Sequence, residues 1–133
     1  MGQTLESGAT YALRAKVDDT RTAASLADIG EVLPPVFGTP FMIADMERAC
    51  AALLTPLLPE GWVSVGAKIE VSHLAPTPVG GEVTATAQFT AQEGPLYWFD
   101  VWAEDASGRI GKGRIARAIV DQKALLDKAE GRA

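Results

Sequence analysis

A chain of 133 residues with 47% hydrophobic and 22% charged residues has the composition of one soluble domain with enough apolar material for a core. The net charge of −5 argues against nucleic acid as the main partner, because phosphate binding needs clustered basic residues and the twelve Lys and Arg residues are scattered. No apolar run approaches the roughly 20 residues that span a bilayer, and residues 1–6 lack a basic region followed by an apolar run, so we expect neither a membrane segment nor an export signal.

The chain has a single cysteine, Cys50, and a single histidine, His73. One cysteine cannot form an intrachain disulfide and is typical of a reducing compartment, so we expect a cytoplasmic protein. These two residues are also too few for a structural zinc site, which usually takes four nitrogen or sulfur ligands. We therefore predict that Cys50 fills the core and that no metal is bound.

The first part of the chain predicts one strand followed by a long irregular segment. Residues 1–8 are predicted to be frayed, and alternating β-branched and aromatic residues predict a strand over Thr10–Val17. Glycines and prolines then interrupt residues 18–38, which we interpret as a candidate lid.

The best helix pattern runs from Thr39 to about Leu57. Thr39 is predicted to cap the helix through its hydroxyl, and Pro40 then occupies the first helical position, where a missing N–H costs nothing. Asp45 and Arg48 are predicted to face solvent. One apolar stripe is predicted to face the core: Ile43, Met46, Cys50, Leu53, Leu54 and Leu57.

Glu47 lies at the edge of this apolar stripe, apart from the solvent-facing charges. An ionised carboxylate is costly there unless a partner pairs with it or a reaction uses it. The alternative is a carboxylate that reaches water along its own stem. The helix pattern leaves both interpretations open.

Four strand patterns follow the helix, over residues 63–74, 82–92, 96–104 and 109–120. Short turns rich in Gly, Pro, Asp and Ser separate the last three, so we expect antiparallel hairpins. An amphipathic tail over residues 122–130 ends the chain. The pattern predicts an α+β domain in which one large antiparallel sheet curls around one long helix.

Two features of these strands suggest interactions. His73 shares a face with Val65, Ala67, Ile69 and Val71 if the strand is regular, so it is either a hydrogen-bonded core residue or a catalytic group. In the strand at residues 96–104, Trp98 and Trp102 fall on the outer face. They predict an oligomer contact or a ligand floor, with isolated surface aromatics as the alternative.

Several segments keep the residues and mutual spacing of one known family. The chain resembles the hot-dog-fold thioesterases and, within that superfamily, the fluoroacetyl-CoA thioesterase group, over nearly all of residues 36–120. The segments that carry the resemblance are Val36–Met42 leading to Met46–Cys50, Ser64–Gly66 with Val71–His73, and Ile110–Gly113 running to Arg117.

The resemblance implies a single hot-dog domain over residues 1–133, an antiparallel sheet of about five strands wrapped around one long central helix. It implies hydrolysis of a short- or medium-chain acyl-CoA to the free acid and coenzyme A, without a metal or redox cofactor. A homodimer that could stack into a tetramer is also implied. The catalytic residues of the group fall on Thr39, Glu47 and His73.

Substrate-binding roles are implied for Phe37, Gly38, Gly66 and Arg117. The Gly66 N–H and the N–H groups at the helix start near Thr39 are candidate oxyanion donors, while a turn or bulge glycine is the alternative for Gly66. Arg117 could pair with an acidic residue of the site, meet the phosphates of coenzyme A, or be a solvated strand charge.

One departure from the group concerns the acyl substrate. The fluoroacetyl-CoA enzymes place aromatic lid residues before the helix, whereas residues 26–36 of this chain contain none. We therefore expect a different short or medium acyl group. A non-catalytic acyl-CoA-binding module and a hydratase or dehydratase on the same fold are the alternative functions.

Overall fold

The computed structural model describes residues 4–133, in which a five-stranded antiparallel sheet has the order β1-β3-β4-β5-β2. One long helix, α1 (Thr39–Leu54), packs on one face of this sheet, which confirms the predicted α+β architecture. A short helix, α2 (Gln122–Gly131), follows the last strand. The strands are β1 (Thr10–Lys16), β2 (Trp62–His73), β3 (Glu82–Glu93), β4 (Leu96–Asp105) and β5 (Gly108–Asp121).

Two tight hairpins join β3, β4 and β5, as predicted. Gly94 and Gly108 both have positive φ angles, 61° and 126°, which non-glycine residues rarely adopt. These hairpins place β4 at the centre of the sheet and leave β1 and β2 at its two edges. No helix within residues 4–133 is long and apolar enough to cross a membrane.

The start of α1 differs from its predicted form. Gly38, rather than Thr39, is the N-cap, and its carbonyl oxygen accepts the N–H groups of Phe41 and Met42 without any side-chain cap. The predicted capping role of Thr39 is therefore wrong, because Thr39 already lies in the first helical turn. The helix ends at Leu54 and continues as a 3-10 turn over Thr55–Leu57, since Pro56 cannot donate the next helical hydrogen bond.

The buried face of α1 is rotated slightly from the predicted stripe. Ile43 is only half-buried, and the prediction that Asp45 faces solvent is wrong, because its exposed fraction is 2%. Cys50 is fully buried, as predicted. The buried residues of the helix are Met42, Asp45, Met46, Ala49, Cys50 and Leu54.

The inner face of the sheet supplies the rest of the core. Small alanines on β3 leave room for the helix, and larger residues on β4 and β5 fill the space around it. Buried and more exposed residues alternate along β3 as far as Phe89, and the pairing with β4 shifts between Phe89 and Ala91. The buried residues are Val83, Ala85, Ala87, Phe89, Phe99, Val101, Ala103, Ile110 and Ile115.

The outer face of β4 is less open than its tryptophans suggest. The guanidinium of Arg114 lies 4.2 Å from the ring centroid of Trp98, whose exposed fraction is 7%. Arg109 lies 5.6 Å from the ring of Trp102, which is half-buried. The two arginines therefore cover part of each tryptophan ring within one chain. An oligomer contact on this face stays a prediction.

The N-terminal segment is anchored to β3 where the structure describes it. The Gly8 N–H donates to the Phe89 carbonyl oxygen at 2.8 Å, and the Ser7 hydroxyl donates to the Thr90 carbonyl oxygen at 2.9 Å. The predicted fraying of residues 1–8 therefore does not hold for Ser7 and Gly8. Residues 1–3 lie outside the described part of the chain.

Candidate active site

A threonine and the single histidine form a hydrogen-bonded pair where the start of α1 meets the end of β2. The Thr39 Oγ1 lies 2.7 Å from Nδ1 of His73. Because Gly38 is the N-cap, the Thr39 hydroxyl is not occupied by the helix backbone. His73 is the last residue of β2 and is half-buried, so its ring is held by the sheet.

The imidazole is packed against the ring of Phe37. The two ring centroids lie 6.4 Å apart at an interplanar angle of 77°, an edge-to-face arrangement. Phe37 is 1% exposed and its N–H donates to the Thr77 carbonyl oxygen at 2.9 Å. A rigid, buried ring therefore limits the orientations that His73 can adopt.

An open cleft of about 400 Å³ adjoins the threonine–histidine pair. Its volume falls within the range of small-molecule sites. The wall is mostly apolar, and Thr39 and His73 are its polar groups. The lining residues are Ala23, Pro34, Val36, Phe37, Thr39, His73, Leu74, Ala75 and Pro76.

Glu47 belongs to a second cluster, with Arg117 as its partner. One Nη of Arg117 lies 3.6 Å from Oε1 of Glu47. Arg117 is 8% exposed and donates twice to Ser64, from Nε to the hydroxyl at 3.2 Å and from the other Nη to the carbonyl oxygen at 2.8 Å. Arg117 is therefore not a solvated strand charge. Its contact with Glu47 agrees with the interpretation in which Arg117 pairs with an acidic residue.

A β-bulge brings Gly66 into this second cluster. The pairing of β2 with β5 shifts between Gly66 and Lys68, and Ala67 is the extra residue. The predicted alternation of β2 is therefore wrong on the N-terminal side of the bulge, where Gly66 pairs with Arg117 and shares the helix-facing side. A Cβ at position 66 would overlap Oε1 of Glu47, so the missing side chain lets the Glu47 carboxylate lie against the backbone of β2.

The two clusters are separate within one chain. Thr39 and Glu47 lie eight residues apart on α1, which corresponds to a rise of about 12 Å along the helix axis. The structure therefore brings Thr39 and His73 together and places Glu47 with Gly66 and Arg117. In residues 4–133, no three His, Cys, Asp or Glu side chains lie close enough to hold a metal ion.

Arg21 and Asp45 are two charged residues near the site for which the sequence patterns predicted no functional role. Arg21 pairs with the buried carboxylate of Asp45 and lies over the ring of Phe37 at 5.5 Å. The burial of Asp45 could have been recognised from its spacing, because it lies three residues after Met42 and four before Ala49, both on the buried face of α1. Its partner comes from another segment, which spacing on the helix cannot reveal.

A central helix held by a curled antiparallel sheet, with a hydroxyl–imidazole pair beside an apolar cleft, defines a hot-dog-fold protein with a site suited to acyl transfer. A family model described as fluoroacetyl-CoA-specific thioesterase matches residues 17–123, most of the chain. The protein belongs to this family of thioester hydrolases, which confirms the resemblance.

One curated relative is a fluoroacetyl-CoA thioesterase from Streptantibioticus cattleyicolor. The two proteins are 41% identical over 87 residues, which is 65% of this chain and 63% of the relative. The match thus spans slightly less than two thirds of the relative's length.

Solved structures cover the chain more completely. The fluoroacetyl-CoA thioesterase FlK matches with a TM-score of 0.93 and 30% identity over 98% of this chain and 99% of its own. A FlK variant in complex with acetyl-CoA matches with a TM-score of 0.88 and 31% identity over 96% and 98% of the two chains. A hot-dog-like protein from Thermanaerovibrio acidaminovorans has a TM-score of 0.82 and 28% identity over 95% and 91%.

Proposed function

We propose that this protein is an acyl-CoA thioesterase that hydrolyses a short- or medium-chain acyl-CoA to the free acid and coenzyme A. The observation that carries the proposal is the 2.7 Å contact between the Thr39 hydroxyl and the His73 imidazole beside an apolar cleft. Family membership and the acetyl-CoA complex of a related structure support the thioester substrate.

The paired side chains fit the proton transfers of thioester hydrolysis. His73 accepts a proton through Nδ1, either from the Thr39 hydroxyl as it attacks the carbonyl carbon or from a water that Thr39 orients. The C–S bond then breaks, and His73 returns the proton to the leaving thiolate of coenzyme A. If Thr39 attacks directly, a water must release the acyl group from it in a second cycle of the same transfers.

The oxyanion that forms on the carbonyl needs hydrogen-bond donors. In the first turn of α1, Pro40 has no N–H and the N–H groups of Phe41 and Met42 donate to the Gly38 carbonyl oxygen. The Thr39 N–H, at the positive end of the helix, is the donor that this turn leaves for a ligand. We assign the oxyanion to this N–H together with the N–H of Gly66 of the partner subunit, because within one chain Gly66 lies beside Glu47 and away from Thr39. Phe37 lines the cleft and shapes its acyl end, and Gly38, buried directly before Thr39, lets the chain enter the helix there.

The proposed site needs a second copy of the chain, because Glu47 lies far from the Thr39–His73 pair within one subunit. Within residues 4–133 the edge strand β2 has no neighbour on one side, and Trp62 and Ile69 on it are 42% and 47% exposed. We propose a homodimer joined along this edge, so that the partner subunit's Glu47 reaches the Thr39–His73 pair. Glu47 there orients the attacking group.

Arg117 has a positioning role in this proposal. Its guanidinium is buried and bonded to Ser64, so it holds the Glu47 carboxylate at a fixed place. This arrangement favours pairing over contact with the phosphates of coenzyme A. We also propose that the protein is cytoplasmic. The proposed reaction uses coenzyme A only as part of the substrate.

The test is release of free thiol from a panel of straight-chain acyl-CoAs of increasing length. We expect turnover by the wild type and a loss of at least about 100-fold in kcat for His73→Ala, the usual contribution of a positioned acid–base group. Thr39→Ser keeps the hydroxyl and serves as the control for Thr39→Ala. Equal rates for wild type and His73→Ala on every substrate would contradict the catalytic assignment.

The same panel distinguishes the two alternative functions. Tight acyl-CoA binding measured by calorimetry, without thiol release, would favour a binding module. Hydration of an enoyl-CoA without thiol release would favour a hydratase. Both outcomes would retain the fold and reject hydrolysis.

A further inference from the structure

Asp45 is a buried carboxylate on the face of α1 that contacts the segment before the helix. Its exposed fraction is 2%, and Arg21 pairs with its Oδ2. Arg48 lies 4.0 Å from the other oxygen, but its side chain is 66% exposed. Of the two arginines, Arg21 is therefore the closer partner of the carboxylate. Burial raises the pKa of Asp45, while the positive charge of Arg21 opposes this effect.

Arg21 also contacts the residues that lead into the candidate site. Its carbonyl oxygen accepts the N–H of Gly38 at 3.0 Å, directly before Thr39. Its guanidinium lies 5.5 Å from the ring centroid of Phe37, and the Phe37 ring in turn packs edge-on against His73. Phe37 is thus packed between Arg21 and His73. A continuous set of contacts runs from Asp45 to the imidazole.

We infer that the Arg21–Asp45 ion pair is a positioning device for the site: it fixes Phe37 against the His73 ring and so keeps the imidazole aligned with the Thr39 hydroxyl. Its catalytic consequence depends on the proposed thioesterase function. Its effect on the orientation of the His73 ring does not.

The energetics of buried ion pairs support a positioning role over simple adhesion. Desolvation often cancels the attraction of such a pair, and well-packed apolar residues of similar size hold two segments together at least as well. In residues 4–133 the Arg21 Nε is also buried without a hydrogen-bond partner, an added cost. The ion pair holds the guanidinium plane over Phe37 in one orientation, because its hydrogen bond to Asp45 is directional. An apolar contact is not directional and would not fix that orientation.

Three variants separate orientation from stability. The double variant Arg21→Met with Asp45→Leu replaces the pair by apolar groups of similar size. Arg21→Lys keeps the charge next to Asp45 but lacks the planar group over Phe37. Arg48→Ala is the matched control, since it removes an exposed charge on the other side of the same carboxylate.

The readout is the NMR spectrum of the His73 ring, which gives one set of imidazole signals because the chain has a single histidine. We expect shifted His73 ring signals in the double variant and in Arg21→Lys, and wild-type signals in Arg48→Ala. We also expect kcat to fall by about 10- to 100-fold in the first two, with KM little changed, as for a small misplacement of a catalytic group.

Wild-type His73 signals in a folded double variant would overturn the inference. If the double variant does not fold, Arg21→Lys decides alone: unshifted signals reject positioning and shifted signals support it. A wild type without thiol release would reject the proposed function, and the NMR comparison would still test the orientation of the ring. The two failures are therefore distinguishable.

Discussion

The chemistry at the residue scale depends on which residue caps α1. Gly38 occupies the cap position without a side-chain hydrogen bond, so the hydroxyl of Thr39 is left for His73 at 2.7 Å. A threonine one residue earlier would use its oxygen on the helix backbone. Gly38 is also tightly enclosed, because an added Cβ would lie 3.0 Å from the backbone nitrogen of Ala23. The position of the cap and the availability of the hydroxyl are thus linked.

Gly66→Ala should move the Glu47 carboxylate. The added methyl group would overlap Oε1 of Glu47, which pairs with Arg117. We expect kcat/KM to fall by about 100-fold with the fold retained, since a displacement near 1 Å has that effect at catalytic sites. Steady-state kinetics and circular dichroism provide the measurement. Gly131→Ala is the control, because an added Cβ there meets no atom within 4 Å, and equal activity of the two variants would contradict the assignment.

Asp45 should make stability depend on pH. Burial raises its pKa above the ordinary value of 3.8, so the folded protein binds this proton more tightly than the unfolded chain. Its contribution to the free energy of unfolding is therefore largest below that ordinary pKa and is lost as the pH rises through the raised one. Asp45→Asn does not titrate. Urea denaturation from about pH 4 to about pH 7 should show wild-type stability declining relative to Asp45→Asn, and a constant or rising difference would contradict this.

At the scale of elements, close contact between α1 and β5 sets the position of the site. Gly111 pairs with His73 across β5 and β2, and an added Cβ at Gly111 would lie 2.5 Å from the Met42 sulfur. The missing side chain lets the first turns of α1 approach the sheet at the level of His73. Thr39 is carried by the same turns.

Gly111→Ala should therefore overpack the helix–sheet contact. We expect the free energy of unfolding to fall by about 1–3 kcal/mol, the usual cost of an extra methyl group in a packed core. Met42→Ala removes the side chain that the methyl group would meet. Urea denaturation of both single variants and the double variant measures the coupling. Gly111→Ala should cost less in the Met42→Ala background, and simple additivity would reject the contact as the cause.

The sequence predicted the elements better than the details that place the side chains. Hydrophobic periodicity identified α1 and the strands, because period and burial are local properties. The bulge at Ala67 was not predictable, since it appears only in the pairing of β2 with β5 and reverses the face of Gly66. The burial of Asp45 was missed for a similar reason, because Arg21 approaches it from a remote segment.

For the candidate site, the sequence identified the Thr39–His73 pair only through spacing that resembles a family. The individual residues had ordinary explanations, a helix cap for Thr39 and a core histidine for His73. The sequence did not predict that Glu47 lies far from this pair within one chain, because that distance depends on where β2 ends relative to α1. That distance makes a second subunit part of the proposal.

At the scale of the whole molecule, the loop before α1 should determine acyl selectivity. Residues 26–36 contain no aromatic side chain, and Ile29 and Val32 there are 91% and 97% exposed. Without aromatic groups over the cleft, we expect kcat/KM for fluoroacetyl-CoA and acetyl-CoA to agree within about tenfold, since small apolar pockets discriminate weakly between similar acyl groups. Competition between the two substrates measures the ratio. A preference of about 1,000-fold or more for fluoroacetyl-CoA would contradict it.

A mixed dimer tests most directly whether hydrolysis uses Thr39 and His73 of one subunit with the partner subunit's Glu47. His73→Ala and Glu47→Gln chains, each with its own tag, are coexpressed, and the heterodimer is purified through both tags. One of its two sites then keeps all three residues, so we expect about half of the wild-type rate of thiol release from an acyl-CoA, while each parent homodimer is inactive. A heterodimer as inactive as its parents, or a protein that stays monomeric while active, would contradict the account.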